Sequence, residues 1–226
     1  MKTKGFTLAE VLITLAIIGV IAAISVPSLI QKTNSEELKV AFKKDYAMIG
    51  QAVNQIMFDK GSFSNMCPDD ANKYNYLSNI FQGYLKTIKS CPSGTVSGNC
   101  WSAPGEWYTG DGDPYKAGDA WVTGPLATWS GVILNNGSFM AISYSPTCPT
   151  LFPSGEHGCG GFMLDTNGFK KPNKVSKDIF LLYIDTSGTV VPCGPSMDIT
   201  GTAVCNTATQ NGSFQCTEDR LIGKGW

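Results

Sequence analysis

Residues able to do chemistry are sparse in this chain of 226 residues, and their surroundings differ sharply. Glu10 is the only ionisable side chain between Thr7 and Ile30, where nearly every neighbour is apolar. The single histidine, His157, stands in Gly155-Glu-His-Gly-Cys159, a spacing at which an imidazole could activate a thiolate nucleophile. Asp165, Asn167 and Asp178 offer hard oxygen ligands suited to calcium. Their spacing is not that of an EF-hand loop, and Asp165-Thr-Asn-Gly168 reads equally as a turn whose side chains satisfy local backbone amides.

Eight cysteines, Cys67, Cys91, Cys100, Cys148, Cys159, Cys193, Cys205 and Cys216, all follow the apolar N-terminus. An even count without any Cys-x-x-Cys pair points to disulfides in an oxidising compartment rather than to zinc. Oxidation of Cys159 would remove the nucleophile from the Cys-His reading, and one histidine leaves few acid-base designs, so no enzyme is expected. Pro and Gly between Cys148 and Cys159 favour a closed loop; Cys193 is expected to pair with Cys205 or Cys216. Lys and Arg number 17 against 18 Asp and Glu, a net charge of −1, which supplies no nucleic-acid-binding surface.

The element that positions Glu10 must be a helix. From Phe6 to Ile30 the apolar run is long enough to supply the ~20 residues that a membrane-spanning helix needs. It does not read as an ordinary secretory signal, because only Lys2 and Lys4 precede it and no Ala-x-Ala site closes it. A carboxylate at the centre of a bilayer costs ~2.5 kcal/mol or more, so a merely snorkelling Glu10 competes with one retained for a partner. Gly19 and Pro27 interrupt the helical run at roughly 1 and 3 kcal/mol relative to alanine, enough for a kink.

Lys4-Gly5-Phe6-Thr7-Leu8-Ala9-Glu10 resembles the cleavage and methylation motif of type IV prepilins and type II secretion pseudopilins. The resemblance covers about residues 1–30. It implies that a prepilin peptidase cuts after Gly5, on the cytoplasmic side, and methylates the new amino group of Phe6. It also implies that Glu10 pairs with the Phe6 ammonium of a neighbouring subunit and sets axial register, since each charge is expensive alone in hydrocarbon. Gly19 and Pro27 then bracket a segment that can lose helicity in a filament.

The remaining chain must carry a head. Leu38, Phe42, Tyr46, Ile49, Val53 and Ile56 follow at helical steps, while Glu36, Glu37, Lys39, Lys43, Lys44 and Asp45 decorate the other faces. Residues 6 to about 59 therefore read as one helix, stopped near Gly61. A short helix is expected around Tyr76 to Ile88. Trp129–Leu134 and Ser138–Tyr144 flank Asn135-Asn-Gly137 as a hairpin, and Asp178–Asp185 with Thr189–Val191 form another. The expected fold is α+β and pilin-like: one long N-terminal helix, its C-terminal half packed on an antiparallel sheet of about four strands with disulfide-stapled loops. The expected divisions are a leader at 1–5, a membrane or filament-core helix at 6–29, an amphipathic continuation at 30–60 and an exported head at 61–226.

Asp165-x-Asn167-Gly168-x-Lys170-x-Pro172-Asn173 also looks like a stretch recurring in pilin-like proteins. The resemblance implies a structural filament subunit, with copies of itself, prepilin peptidase, and an inner-membrane assembly platform with its ATPase as partners. The precursor would be single-pass in the inner membrane with a cytoplasmic N-terminus, and the product an extracellular pilus or periplasmic pseudopilus. A pseudopilin or minor pilin of a secretion or DNA-uptake system is the rival within the family. Outside it stands a surface-binding module, in which exposed Trp101, Trp107, Trp121 and Trp129 would stack on sugars; burial as loop anchors is their other fate.

Overall fold

A computed structural model describes residues 5, 7–64, 66, 72–148, 150–151, 157–193, 217 and 221. The chain forms two compact units, residues 1–37 and 38–226, although helix α1, Leu8–Lys60, runs through the boundary. In the first unit α1 exposes Leu8, Leu12, Ile17, Ile21, Ile24 and Leu29, and it contains a stretch long and apolar enough to cross a membrane. Water gives such a surface no reason to persist, whereas lipid or copies of the same helix do.

In the second unit α1 contributes Leu38, Phe42, Asp45, Ile49, Ala52, Val53 and Ile56 to the interior. The helical period expected from the sequence accounts for the apolar members. Asp45 is a correction: it is fully buried rather than on a solvated face. Its position three residues after Phe42 and four before Ile49 puts it on the buried stripe by the same 3.6-residue period. Asn136 Nδ2 donates to Asp45 Oδ1 and Ser138 Oγ to Asp45 Oδ2, each at 2.6 Å. The hairpin turn is thereby tied to the helix.

Helix α2, Lys73–Tyr84, precedes β1, Thr87–Cys91. The expected helix thus ends earlier, and the residues around Ile88 are strand. Short helices α3, Ala120–Thr123, and α4, Pro125–Thr128, lead to β2, Ser130–Leu134, β3, Phe139–Tyr144, β4, Thr150–Leu151, β5, His157–Asp165, β6, Ile179–Asp185, and β7, Val190–Pro192. Among the described residues the sheet has seven antiparallel strands in the order β1-β2-β3-β5-β6-β7, with β4 also on β5. Both expected hairpins are present, but β5 separates them, pairing with β3 from Phe139↔Asp165 and with β6 from Asp165↔Ile179. Its start, Gly158-Cys-Gly-Gly161, weakens the strand signal. Glycine is required there: a Cβ on Gly160 would stand 2.4 Å from the Ser143 carbonyl oxygen.

Alternation within the strands fills two cores. Phe42, Ile49, Val53 and Ile56 of α1 and Phe81 of α2 meet Met140, Ile142, Phe162, Leu164, Phe180 and Leu182 on one face. Phe42 stacks on Phe180 with ring centroids 3.9 Å apart. Burying each such side chain contributes about 1.5–3 kcal/mol. On the other face Ile133, Ala141, Met163, Ile179 and Leu181 are covered by loops carrying Val96, Trp101 and Trp107. Covering on both sides explains why β2 and β6 read as nearly continuous apolar runs.

Candidate functional site

At the N-terminus, Thr7 and Glu10 form a capping box over the start of α1. Glu10 Oε2 accepts from the Thr7 amide and from Thr7 Oγ1, both at 2.8 Å, while the Glu10 amide donates to Thr7 Oγ1 at 3.3 Å. Helix starts leave amides without intrahelical partners, and Thr-x-x-Glu satisfies them reciprocally. Thr7 was not singled out from the sequence, although this spacing was legible there. Gly5 is exposed; Phe6 lies outside the described residues. Helix α1 is continuous through Gly19 and Pro27. Pro27 leaves the Ala23 carbonyl without its usual donor, and nearby Ser25 Oγ donates to the Ile21 carbonyl at 2.6 Å.

Asp165, Asn167 and Asp178 are brought together where β5 leaves the sheet and β6 returns. Asp165 is fully buried, and its Oδ1 accepts the amides of Asn167 at 3.2 Å and Gly168 at 2.9 Å. That is the turn the sequence suggested. Gly168 holds it with φ of +65°, and a Cβ there would stand 2.5 Å from the Gly137 carbonyl oxygen. Asp178, also fully buried, accepts the Asn173 amide on Oδ2 at 2.7 Å and the Lys174 amide on Oδ1 at 2.5 Å. Asp165 Oδ2 and Asn167 Oδ1 are buried and accept no hydrogen bond. Burial, with the Asp178 charge second, holds the Asp165 carboxyl well above its ordinary range. Burial likewise pushes Asp178 up to about 6, against the lowering effect of the Lys174 and Asn173 amides.

The described cysteines are oxidised. Cys91 is bonded to Cys100 and Cys148 to Cys159; Cys193 is also in a disulfide. Cys67, Cys205 and Cys216 lie outside the described residues. The Cys-His nucleophile is therefore unavailable, since the Cys159 sulfur is bonded and His157 Nδ1 donates to the Cys148 carbonyl at 2.9 Å. Trp101 and Trp107 are fully buried, edge to face with centroids 6.0 Å apart, and Trp107 stacks on Tyr115 at 3.8 Å. Trp129 packs partly buried on the same core, and the side chain of Trp121 lies outside the description. Trp101 and Trp107 anchor loops rather than offer a sugar platform.

The fold and its N-terminus define a class: an α+β head with an exposed apolar helix whose start is capped by a threonine and a glutamate. Residues 1–26 match the family model described as the prokaryotic N-terminal methylation motif, the signal of type IV pilins and pseudopilins. No curated protein and no solved structure matches the chain. The motif implies, in general terms, processing by prepilin peptidase and assembly with copies of itself, and with the apolar helix it fits a membrane-anchored precursor. Proteins of this pilin type are structural.

Proposed function

We propose that this chain is a structural subunit of a type IV pilus or pilus-like filament, cleaved after Gly5, methylated on the Phe6 nitrogen and polymerised through residues 6–29 of its helix. Residues 30–60 then continue the helix into the head, and 61–226 form the exported part. The observation that carries the reading is the apolar, exposed surface of α1 between Leu8 and Ile30, interrupted by the single acid Glu10 and overlapped by the methylation motif at residues 1–26. Packing of like helices removes that surface from water and lipid together.

Glu10 acts in this scheme as the register mark. In the free chain its carboxylate is held by Thr7; in a filament it faces the Phe6 ammonium of a neighbour, and any other register leaves both charges in hydrocarbon. Gly19 and Pro27 let the intervening helix yield. The assembly platform and its ATPase supply the energy. Mass spectrometry of the mature N-terminus with electron microscopy of the cell envelope tests the reading. A Phe6 start with one methyl group and filaments containing the chain are expected; an uncleaved Met1 start would overturn it.

A further inference from the structure

We propose that the end of the head around the β2–β3 turn, residues 135–137, is a docking face for an anionic phospholipid surface, that of the membrane which the apolar stretch of α1 crosses. The inference rests on the anchored reading of that stretch and goes beyond filament assembly. Three segments meet at the turn. Asn136 bonds Asp45 of α1, the Asn135 amide donates to the Lys86 carbonyl at 2.9 Å, and Phe169 of the β5–β6 loop sits edge to face with Phe139, ring centroids 4.4 Å apart. These contacts bring Lys43, Lys44, Lys86, Lys170 and Lys171 to one end, all of them exposed. The whole chain has a net charge of −1, so this is a local excess that composition hides. The acids carried by the same segments, Asp45, Asp165 and Asp178, are buried, and burial favours their uncharged forms. Glu36 and Glu37, which precede Leu38 on α1, are the exposed acids that the face must outweigh. Lys174 is left out, because a Cβ on Gly112, between Asp111 and Asp113, would stand 3.7 Å from its Nζ.

Apolar side chains decide between anionic partners. After Leu38 the described residues expose four large apolar side chains, Val40, Phe58, Ile88 and Phe169. All but Phe58 belong to the segments that carry the lysines: Val40 lies just before Lys43, Ile88 just after Lys86, and Phe169 directly before Lys170. Aliphatic side chains gain nothing from a nucleic acid, which is held by phosphate pairing and by stacking on aromatic rings. They do gain at a lipid interface, where apolar groups enter the headgroup boundary while ammonium groups meet lipid phosphates. Proximity favours the same partner. Lys43 follows Ile30 by 13 residues, about 20 Å of helix at a rise of 1.5 Å per residue. A chain anchored by residues 8–30 therefore presents this face to the bilayer at a high effective concentration.

The test uses the full chain reconstituted into vesicles of phosphatidylcholine, alone or with about one third phosphatidylglycerol. Hydrogen exchange read by mass spectrometry should slow about threefold or more across residues 135–137 and 168–171 on the anionic vesicles only, and the slowing should vanish in about 0.5 M sodium chloride. A variant combining Lys43→Gln, Lys44→Gln, Lys86→Gln, Lys170→Gln and Lys171→Gln should float with both vesicles and exchange alike on both. The matching lysine-to-arginine variant should behave as the parent does, which separates charge from folding. Equal exchange of the parent on both vesicles, or slowing retained in the glutamine variant, would overturn the docking face while leaving anchoring intact. A parent that does not float even with neutral vesicles would overturn anchoring and the face with it. Slowing by single-stranded DNA on neutral vesicles, with none by phosphatidylglycerol, would overturn the lipid assignment in favour of nucleic acid.

Discussion

Along α1, Glu10 and Asp45 are both carboxylates among apolar neighbours, yet their surroundings have opposite physics. Glu10 lies on an exposed stretch and, among the described residues, is held by Thr7, three residues away. Asp45 is enclosed and held by Asn136 and Ser138, some ninety positions later in the chain. Ser138 Oγ also lies 3.1 Å from the Thr166 carbonyl, so the helix, the β2–β3 turn and the β5–β6 loop meet at one hydroxyl. A charge satisfied locally can exchange its partner for one on another molecule. A charge satisfied from across the fold can change partner only by breaking the head.

That contrast sets the expected order of effects. Glu10→Val should leave membrane insertion and head stability unchanged while abolishing or disordering filaments, as seen by electron microscopy. Normal filaments from that variant would end the register role. Phe42→Ala should act in the opposite sense, destabilising the head by about 3–5 kcal/mol in denaturant melts through loss of the Phe180 stack and the cavity it leaves. Asp45→Ala should remove about 1–3 kcal/mol, because Asn136 and Ser138 lose a buried acceptor; a loss no larger than that of Glu10→Ala would erase the distinction between the two acids.

Reduction should be felt only in the head. Cys91–Cys100 and Cys148–Cys159 span sequence separations of 9 and 11. Replacing either pair should cost about 2–4 kcal/mol, with the helical circular dichroism of α1 retained. The most gradual effect is on pH. Burial raises the Asp45, Asp165 and Asp178 carboxyls in the folded state, so the native protein holds more protons than the unfolded chain. Head stability should therefore be greatest below about pH 4 as far as these groups are concerned. It should fall as pH rises through about 6, where Asp178 ionises. Glu10→Gln should not alter that slope, whereas Asp178→Asn should flatten it; melting midpoints across pH 4–8 distinguish the two.

Much of this was legible in residue patterns. The long helix, its apolar stripe from Leu38 to Ile56 and both hairpins follow from periods of 3.6 and 2 together with Asn-Asn-Gly and Ser-Gly turns. Strand β5 was not, because Gly158, Gly160 and Gly161 carry little strand signal of their own. Gly160 and Gly161 are selected by the close approach of Ser143 and Leu182 on the flanking strands. The burial of Asp45 was hidden by its charge, not by its position.

Sequence alone determined the N-terminal segment, since the methylation motif and helix formation there depend on neighbours a few residues apart and need no partner from the rest of the chain. Thr7 and Glu10 even satisfy each other within one turn. Tertiary structure alone decided the fate of the other polar groups. It oxidised Cys159, enclosed Trp101 and Trp107, paired Asp45 with a distant turn and drew Asp165 and Asp178 into one buried site. The physical reason is that desolvation and long-range hydrogen bonding exist only once the sheet has brought distant residues together.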